Sequence, residues 1–133
     1  MTDPTHAERV AAAVPDHCKV VALLHDAVED GHLDWKSATS ALHPDHATAL
    51  GLLTRFSDVS YSEYIDNIRR AANGEADRDN IFEDSSSVAG GLIALTVKIA
   101  DLRDNLNRPE GPPPGDLRGR YEKALAELEG TFA

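Results

Sequence analysis

Residues 20–30 read VVALLHDAVED, in which a run of apolar side chains is followed at once by ionisable ones. The five apolar residues at 20–24 leave a helix in this stretch with little polar surface. Asp16 can cap the segment at its start and Gly31 can end it, so the pattern predicts a helix over residues 17–29. We expect this helix to be the central, buried element of the fold.

Pro, Gly and Asp residues divide the rest of the chain into further helical segments, about seven in total. They are predicted over residues 6–14, 35–42, 44–56, 63–72, 88–107 and 116–129. Asp34 is the expected N-cap of the third helix, and Ser62 that of the fifth. Residues 74–86, GEADRDNIFEDSS, are polar and irregular and are predicted to form a loop insertion.

The composition favours helices. Aromatic residues make up only 5% of the 133 residues, and Ala, Leu and Val supply most of the apolar mass, whereas strands prefer β-branched and aromatic residues. A chain of this length fits one domain, here residues 1–133. The sequence therefore predicts an all-α fold, a single-domain bundle of about six to seven helices.

Charge, cysteine content and hydropathy exclude several classes of protein. The 13 Lys and Arg residues against 23 Asp and Glu residues give a net charge of −10, which argues against DNA or RNA as partners. The single cysteine, Cys18, excludes a disulfide framework and a Cys-rich zinc site. No apolar run exceeds five residues, so neither a membrane span nor a signal peptide is expected and the predicted location is cytoplasmic. The oligomeric state stays open.

The ionisable residues of the 20–30 segment are unusual for a buried helix. His25 and Asp26 directly follow the apolar run, and Glu29 and Asp30 come one turn later. Buried carboxylates repel one another unless they are paired, hydrogen-bonded or bound to a metal. The cluster therefore suggests a bound cation, although a core histidine satisfied by hydrogen bonds is an alternative for His25.

A second predicted apolar helix also contains several ionisable residues, at 96–106, TVKIADLRDNL. Asp101 has Lys98 one turn before it and Asn105 one turn after it. Asp101 could complete a metal site begun by His25 and Asp26, or it could simply cap the next turn or pair with Arg103. A mixed His and carboxylate set suits Mn, Fe or Zn, whereas an all-oxygen set suits Mg or Ca.

These motifs resemble a known family. ALLHDAVED (residues 22–30) resembles the ALLHDVVEDT signature of HD-domain phosphohydrolases, in the branch that includes RelA/SpoT-type hydrolases of guanosine tetraphosphate. VKIADLRDNL (97–106) resembles that branch's VKLADRLHNM, and THAERVAAAV (5–14) resembles the segment with its first metal histidine. LLTRFSDVSYSEYIDNIRRAAN (52–73) and RYEKALAELEG (120–130) are similar to later helices of the small stand-alone members.

The resemblance implies a metal centre. Its ligands would be His6, His25, Asp26 and Asp101. They would hold one divalent ion, Mn in the first place, with Fe, Zn, Co or Mg as other candidates. His17 and His32 are the rivals of His6 for the first position, but their places in the sequence are more typical of exposed residues.

The resemblance also implies a reaction. Glu29 and Asp30 match the acidic pair that orients and deprotonates the attacking water, and Asn105 matches a substrate-holding residue. Lys98 flanks Asp101 and could offset phosphate charge, which makes it a second candidate for substrate binding. The expected activity is hydrolysis of a phosphomonoester or pyrophosphate in a nucleotide, guanosine tetraphosphate-like compounds included, or in a related small metabolite. The alternative is a non-catalytic nucleotide-binding module that keeps the fold and the metal.

Overall fold

The computed structural model describes residues 5–29, 31, 33–40, 42–54, 59–74, 88–108, 111 and 113–132. These residues form seven α-helices, and none of them lies in a β-strand. The helices are α1 (His6–Ala12), α2 (Lys19–Glu29), α3 (Trp35–Thr39), α4 (Pro44–Leu53), α5 (Tyr61–Ala72), α6 (Val88–Leu106) and α7 (Gly115–Glu129). The predicted all-α helical bundle is confirmed, while the extent of the domain over residues 1–133 stays a prediction.

The central element is α6 and not, as predicted, α2. The 19-residue α6 packs against α1, α2, α4, α5 and α7. In α2, by contrast, Val20 and Leu23 are 39% and 46% exposed, and the buried face carries Val21, Ala22 and His25. The prediction was wrong because a short apolar run does not show how much of a helix its neighbours cover, and Val20 and Leu23 of α2 remain exposed.

Two glycines explain how α6 can lie so close to its neighbours. A Cβ atom added at Gly91 would lie 2.5 Å from the backbone carbonyl carbon of Ala71 in α5. A Cβ atom added at Gly90 would lie 2.8 Å from the side chain of Thr48 in α4. Glycine lowers helix propensity, but here it allows two helix backbones to approach α6 directly.

The helix ends follow local capping chemistry. Asp34 caps α3 as predicted, since its side chain accepts a hydrogen bond from the Ser37 amide at 3.2 Å. The cap of α5 is Ser60 and not the predicted Ser62, because the Ser60 hydroxyl accepts from the Glu63 amide and the helix begins at Tyr61.

Other predicted boundaries shift by a few residues. Asp16, the expected cap of α2, instead begins a 3-10 turn (Asp16–Cys18) that buries Cys18, and α2 starts at Lys19. The helices α3 and α4 end earlier than predicted, at Thr39 and Leu53. Of the predicted loop, residues 75–86 lie outside the described part of the chain. Within the described part, no helix is both long enough and apolar enough to cross a membrane.

Candidate metal centre

Three of the four predicted ligands meet between α1, α2 and α6. The Nε2 atom of His6 lies 2.6 Å from Oδ1 of Asp101, and the Nε2 atom of His25 lies 3.8 Å from the same oxygen. Each of the three residues comes from a different helix, and His6 and Asp101 are 95 positions apart in the chain. The bundle therefore brings two imidazoles to one carboxylate oxygen.

Local structure holds His6 at this position. Thr5 forms a capping box with Glu8, in which each side chain binds the backbone of the other residue. This cap makes His6 the first residue of α1 and satisfies two amide groups at the helix start. The imidazole is then directed from the start of α1 towards α6.

A hydrogen bond to the backbone of its own helix orients His25. Its side chain is buried, with 1% of the residue exposed, and its Nδ1 atom lies 2.8 Å from the carbonyl oxygen of Ala22. A carbonyl oxygen can only accept, so Nδ1 carries the proton and donates it. This leaves the lone pair on Nε2, the atom that faces Asp101.

Lys98 is part of this cluster, but it points into the protein. It is 6% exposed, and its Nζ atom donates to Oδ2 of Asp101 at 2.9 Å. The same ammonium lies 5.1 Å from the ring centroid of Tyr64, within the range of a cation–π contact. Lys98, predicted to contact the substrate, thus binds the candidate metal ligand itself.

The electrostatics of the cluster keep Asp101 charged. Burial by itself would raise the pKa of Asp101, but the neighbouring His25, a hydrogen bond from His6 and the charge of Lys98 hold that pKa well below its usual range. Burial would lower the pKa of Lys98, yet Tyr64 and the Asp101 carboxylate raise it above its ordinary value. Asp101 is therefore an anion and Lys98 a cation at neutral pH.

Two residues at the outer side of the cluster were not predicted. Asp104 accepts from His6 through Oδ2, which lies 2.5 Å from Nδ1 of the imidazole. The guanidinium of Arg9 donates to both oxygens of Asp104, at 2.8 Å to Oδ1 and 3.2 Å to Oδ2. A signal was present in the sequence, since Arg9 and Asp104 each follow a predicted ligand by three residues, one helical turn.

Asn105 lies one turn beyond Asp101 on the wall of a separate pocket of about 190 Å³. Its Oδ1 atom accepts two hydrogen bonds from Arg108, and the ring of Tyr121 in α7 forms part of the same wall. Arg103, the alternative partner of Asp101, instead pairs with Glu129 of α7.

The remaining predicted site residues are described only in part. Asp26 and Glu29 belong to α2, where Asp26 directly follows His25, but their side chains lie outside the described part of the structure. Asp30 and the rival ligand His32 lie outside it altogether. The other rival, His17, is exposed in the 3-10 turn before α2.

The chemistry of the converging groups fits a divalent transition metal. Imidazole nitrogen combined with carboxylate oxygen suits Mn, Fe, Co or Zn better than an all-oxygen set does. As the described side chains stand, no three His, Cys, Asp or Glu groups are arranged to hold one ion together. His6 and Lys98 each bind an oxygen of Asp101 directly in this arrangement.

Comparisons with known proteins identify no relative. No protein-family model matches the chain, and neither a curated protein nor a solved structure matches it.

Proposed function

We propose that this chain is a metal-dependent phosphohydrolase of the HD-domain type, acting on a nucleotide or a related small phosphorylated metabolite. The observation that carries the proposal is the meeting of His6 Nε2 and His25 Nε2 at Oδ1 of Asp101. The motif resemblance implies the same three residues as ligands from the sequence alone.

The burial of the cluster supports a role beyond packing. His25 is 1% exposed and Asp101 is 5% exposed, and burying an imidazole and a carboxylate is costly unless both are satisfied. Apolar side chains of similar size would fill the same space between α2 and α6 without that cost. A function that needs these groups accounts for their presence.

The four ligands of the proposed ion are His6, His25, Asp26 and Asp101. When bound, a divalent ion supplies Lewis-acid chemistry, polarising a phosphoryl oxygen and lowering the pKa of a bound water. The protein's own contribution begins with Asp101, which is held as an anion, and with His25, whose protonated Nδ1 leaves Nε2 as the ligand atom.

In this proposal Lys98 is a positioning residue rather than a substrate contact. Its ammonium binds Oδ2 of Asp101, so that Oδ1 is the oxygen turned towards the two imidazoles. Glu29, four residues after His25 on α2, is proposed as the base that takes a proton from the attacking water. Asp30 would assist in orienting that water, and Asn105 would hold the substrate.

The net charge of −10 is compatible with an anionic substrate under this proposal. Asp26, Glu29, Asp30 and Asp101 all belong to the two site segments, and a divalent ion would neutralise part of that acidity. The substrate class is thus a small phosphate ester or anhydride rather than a nucleic acid, which needs an extended basic face.

A hydrolysis assay tests the proposal. The purified protein, loaded with Mn²⁺, is incubated with a panel of nucleotides, and released phosphate and pyrophosphate are quantified. We expect turnover of at least one compound and its loss in Asp26→Ala, while Asp116→Asn, on the exposed first turn of α7, serves as the matched control. Absence of release from every nucleotide, with the metal fully bound, contradicts the catalytic assignment.

A second variant separates catalysis from metal binding. Glu29→Gln keeps the size of the side chain but removes the proposed base, so we expect turnover to fall by about 100-fold or more with the metal still bound. Mn²⁺ content and turnover are measured on the same preparation. Full activity of Glu29→Gln would show that another group takes the proton.

A further inference from the structure

The second nitrogen of His6 has a partner of its own. While Nε2 faces Asp101, Nδ1 lies 2.5 Å from Oδ2 of Asp104, one turn further along α6. The imidazole is therefore held between two carboxylates of the same helix. Asp104 belongs neither to the four proposed ligands nor to the acidic pair Glu29 and Asp30.

The contact with Asp104 determines which proton the imidazole would keep when it binds a metal ion. Asp104 is paired with the guanidinium of Arg9, which donates to both of its oxygens, and this ion pair holds it as a carboxylate. A carboxylate can only accept, so both ring nitrogens of His6 donate in this arrangement, Nδ1 to Asp104 and Nε2 to Asp101. An imidazole binds a metal through an unprotonated nitrogen, so a divalent ion at Asp101 would replace the proton on Nε2, whereas Nδ1 would keep its proton and its hydrogen bond to Asp104.

Arg9 orients the carboxylate of Asp104, which in turn orients the imidazole of His6. Its Nε atom donates to Oδ1 of Asp104 at 2.8 Å and its Nη2 atom donates to Oδ2 at 3.2 Å, so the planar guanidinium sets the plane of the carboxylate. Arg9 and His6 are both on α1, whereas Asp104 is on α6. Hydrogen bonds to Asp104 thus connect α1 to α6, and the imidazole of His6 lies between the two helices.

We propose that Asp104 is a positioning residue of the metal centre, which, supported by Arg9, holds His6 with its Nε2 atom available to a divalent ion. The inference rests on the proposed function and extends it to a residue outside the ligand set. Carboxylates that accept from the second nitrogen of a metal-binding histidine raise metal affinity by about 10- to 100-fold.

The test uses Asp104→Asn, which keeps the shape of the side chain but has a single acceptor oxygen. If that oxygen serves Arg9, the amide NH₂ group faces Nδ1 of His6 and favours the tautomer with the proton on Nε2. We expect the Mn²⁺ dissociation constant, measured by calorimetry, to rise by about 10- to 100-fold. The helical circular dichroism signal should be unchanged.

Arg9→Ala is the matched control, because it removes the tie between α1 and α6 but leaves Asp104 as an acceptor for His6. If Asp104 only stabilised the contact between the two helices, the loss of Mn²⁺ affinity would follow the loss of thermal stability in the same way in both variants. The proposal predicts the larger loss of affinity in Asp104→Asn. Equal losses, or wild-type affinity in Asp104→Asn, overturn it.

Nitrogen-15 NMR of the imidazole gives a readout independent of activity. In the protein loaded with diamagnetic Zn²⁺, we expect His6 to carry its proton on Nδ1, and we expect that signal to be weakened or shifted in Asp104→Asn. A wild-type His6 protonated on Nε2 overturns the inference and leaves the proposed function standing. A wild-type protein that binds no divalent ion contradicts the proposed function, and this inference with it.

Discussion

Replacement of Lys98 by methionine should destabilise the protein strongly, although no apolar contact of comparable size is lost. The side chain is 6% exposed, and its ammonium lies 2.9 Å from Oδ2 of Asp101, itself 5% exposed. Lys98→Met keeps most of the volume of the stem but leaves the Asp101 carboxylate in the interior without its cation. The cost of that uncompensated charge governs the result.

The size of the effect follows from the burial of the pair. Removing one partner of a buried ion pair costs about 3–5 kcal/mol of unfolding free energy. His6 and His25 still contact Asp101 in the variant, so we expect the lower end, about 3 kcal/mol. For a chain of this size, that loss lowers the melting temperature by roughly 10 °C.

The assay is urea unfolding of metal-free protein, followed by circular dichroism at neutral pH. Arg118→Met is the matched control: its partner Glu122 is 3.6 Å away, both side chains are more than half exposed, and the expected change is below about 1 kcal/mol. The double variant Lys98→Met/Asp101→Asn should be more stable than the sum of the two single changes predicts. A loss below about 1 kcal/mol in Lys98→Met would refute the view that Asp101 depends on this cation.

Three further predictions concern packing, capping and pH. Gly91→Ala places a Cβ atom 2.5 Å from the α5 backbone and should lower the free energy of unfolding by about 1–3 kcal/mol. Gly119→Ala in α7, where a Cβ atom would have no neighbour within 4 Å, should raise it by about 0.5–1 kcal/mol. Equal melting temperatures of the two variants would contradict the close approach of α5 to Gly91. Ser60→Ala should lower the free energy of unfolding by about 1 kcal/mol, and Ser62→Ala should leave it almost unchanged. The reverse order would show that Ser62, as predicted from the sequence, is the cap of α5. The folded-state pKa of Asp101 is lowered, so its contribution to metal-free stability is present above the unfolded pKa of about 3.9 and is lost as the pH falls below it. Stability that stays constant down to pH 3 would contradict that shift.

The helices could be predicted because residues close by in the sequence determine where each helix begins and ends. Pro44 begins α4 and Asp34 caps α3 as expected, since both residues act through the backbone of their own segment. The central position of α6 could not be predicted in the same way. It depends on Gly90 and Gly91, whose lack of a side chain matters only where another helix crosses.

Some residues of the site could be predicted from the sequence, and others could not. His6, His25 and Asp101 were selected by motif, and the fold brings them together. Asp104 was missed because its role depends on which imidazole nitrogen faces which carboxylate. The orientation of Lys98 likewise depends on burial beside Asp101, which the spacing of the residues along α6 does not reveal.

Titration of the wild-type protein with Mn²⁺ shows whether His6, His25 and Asp101 form part of a metal centre. Calorimetry should show one bound ion per chain, with binding lost in both His25→Gln and Asp101→Asn and retained in the surface variant Asp116→Asn. Heat of binding that is absent from the wild-type protein, or equal in the wild type and Asp101→Asn, would show that these residues do not form a metal centre.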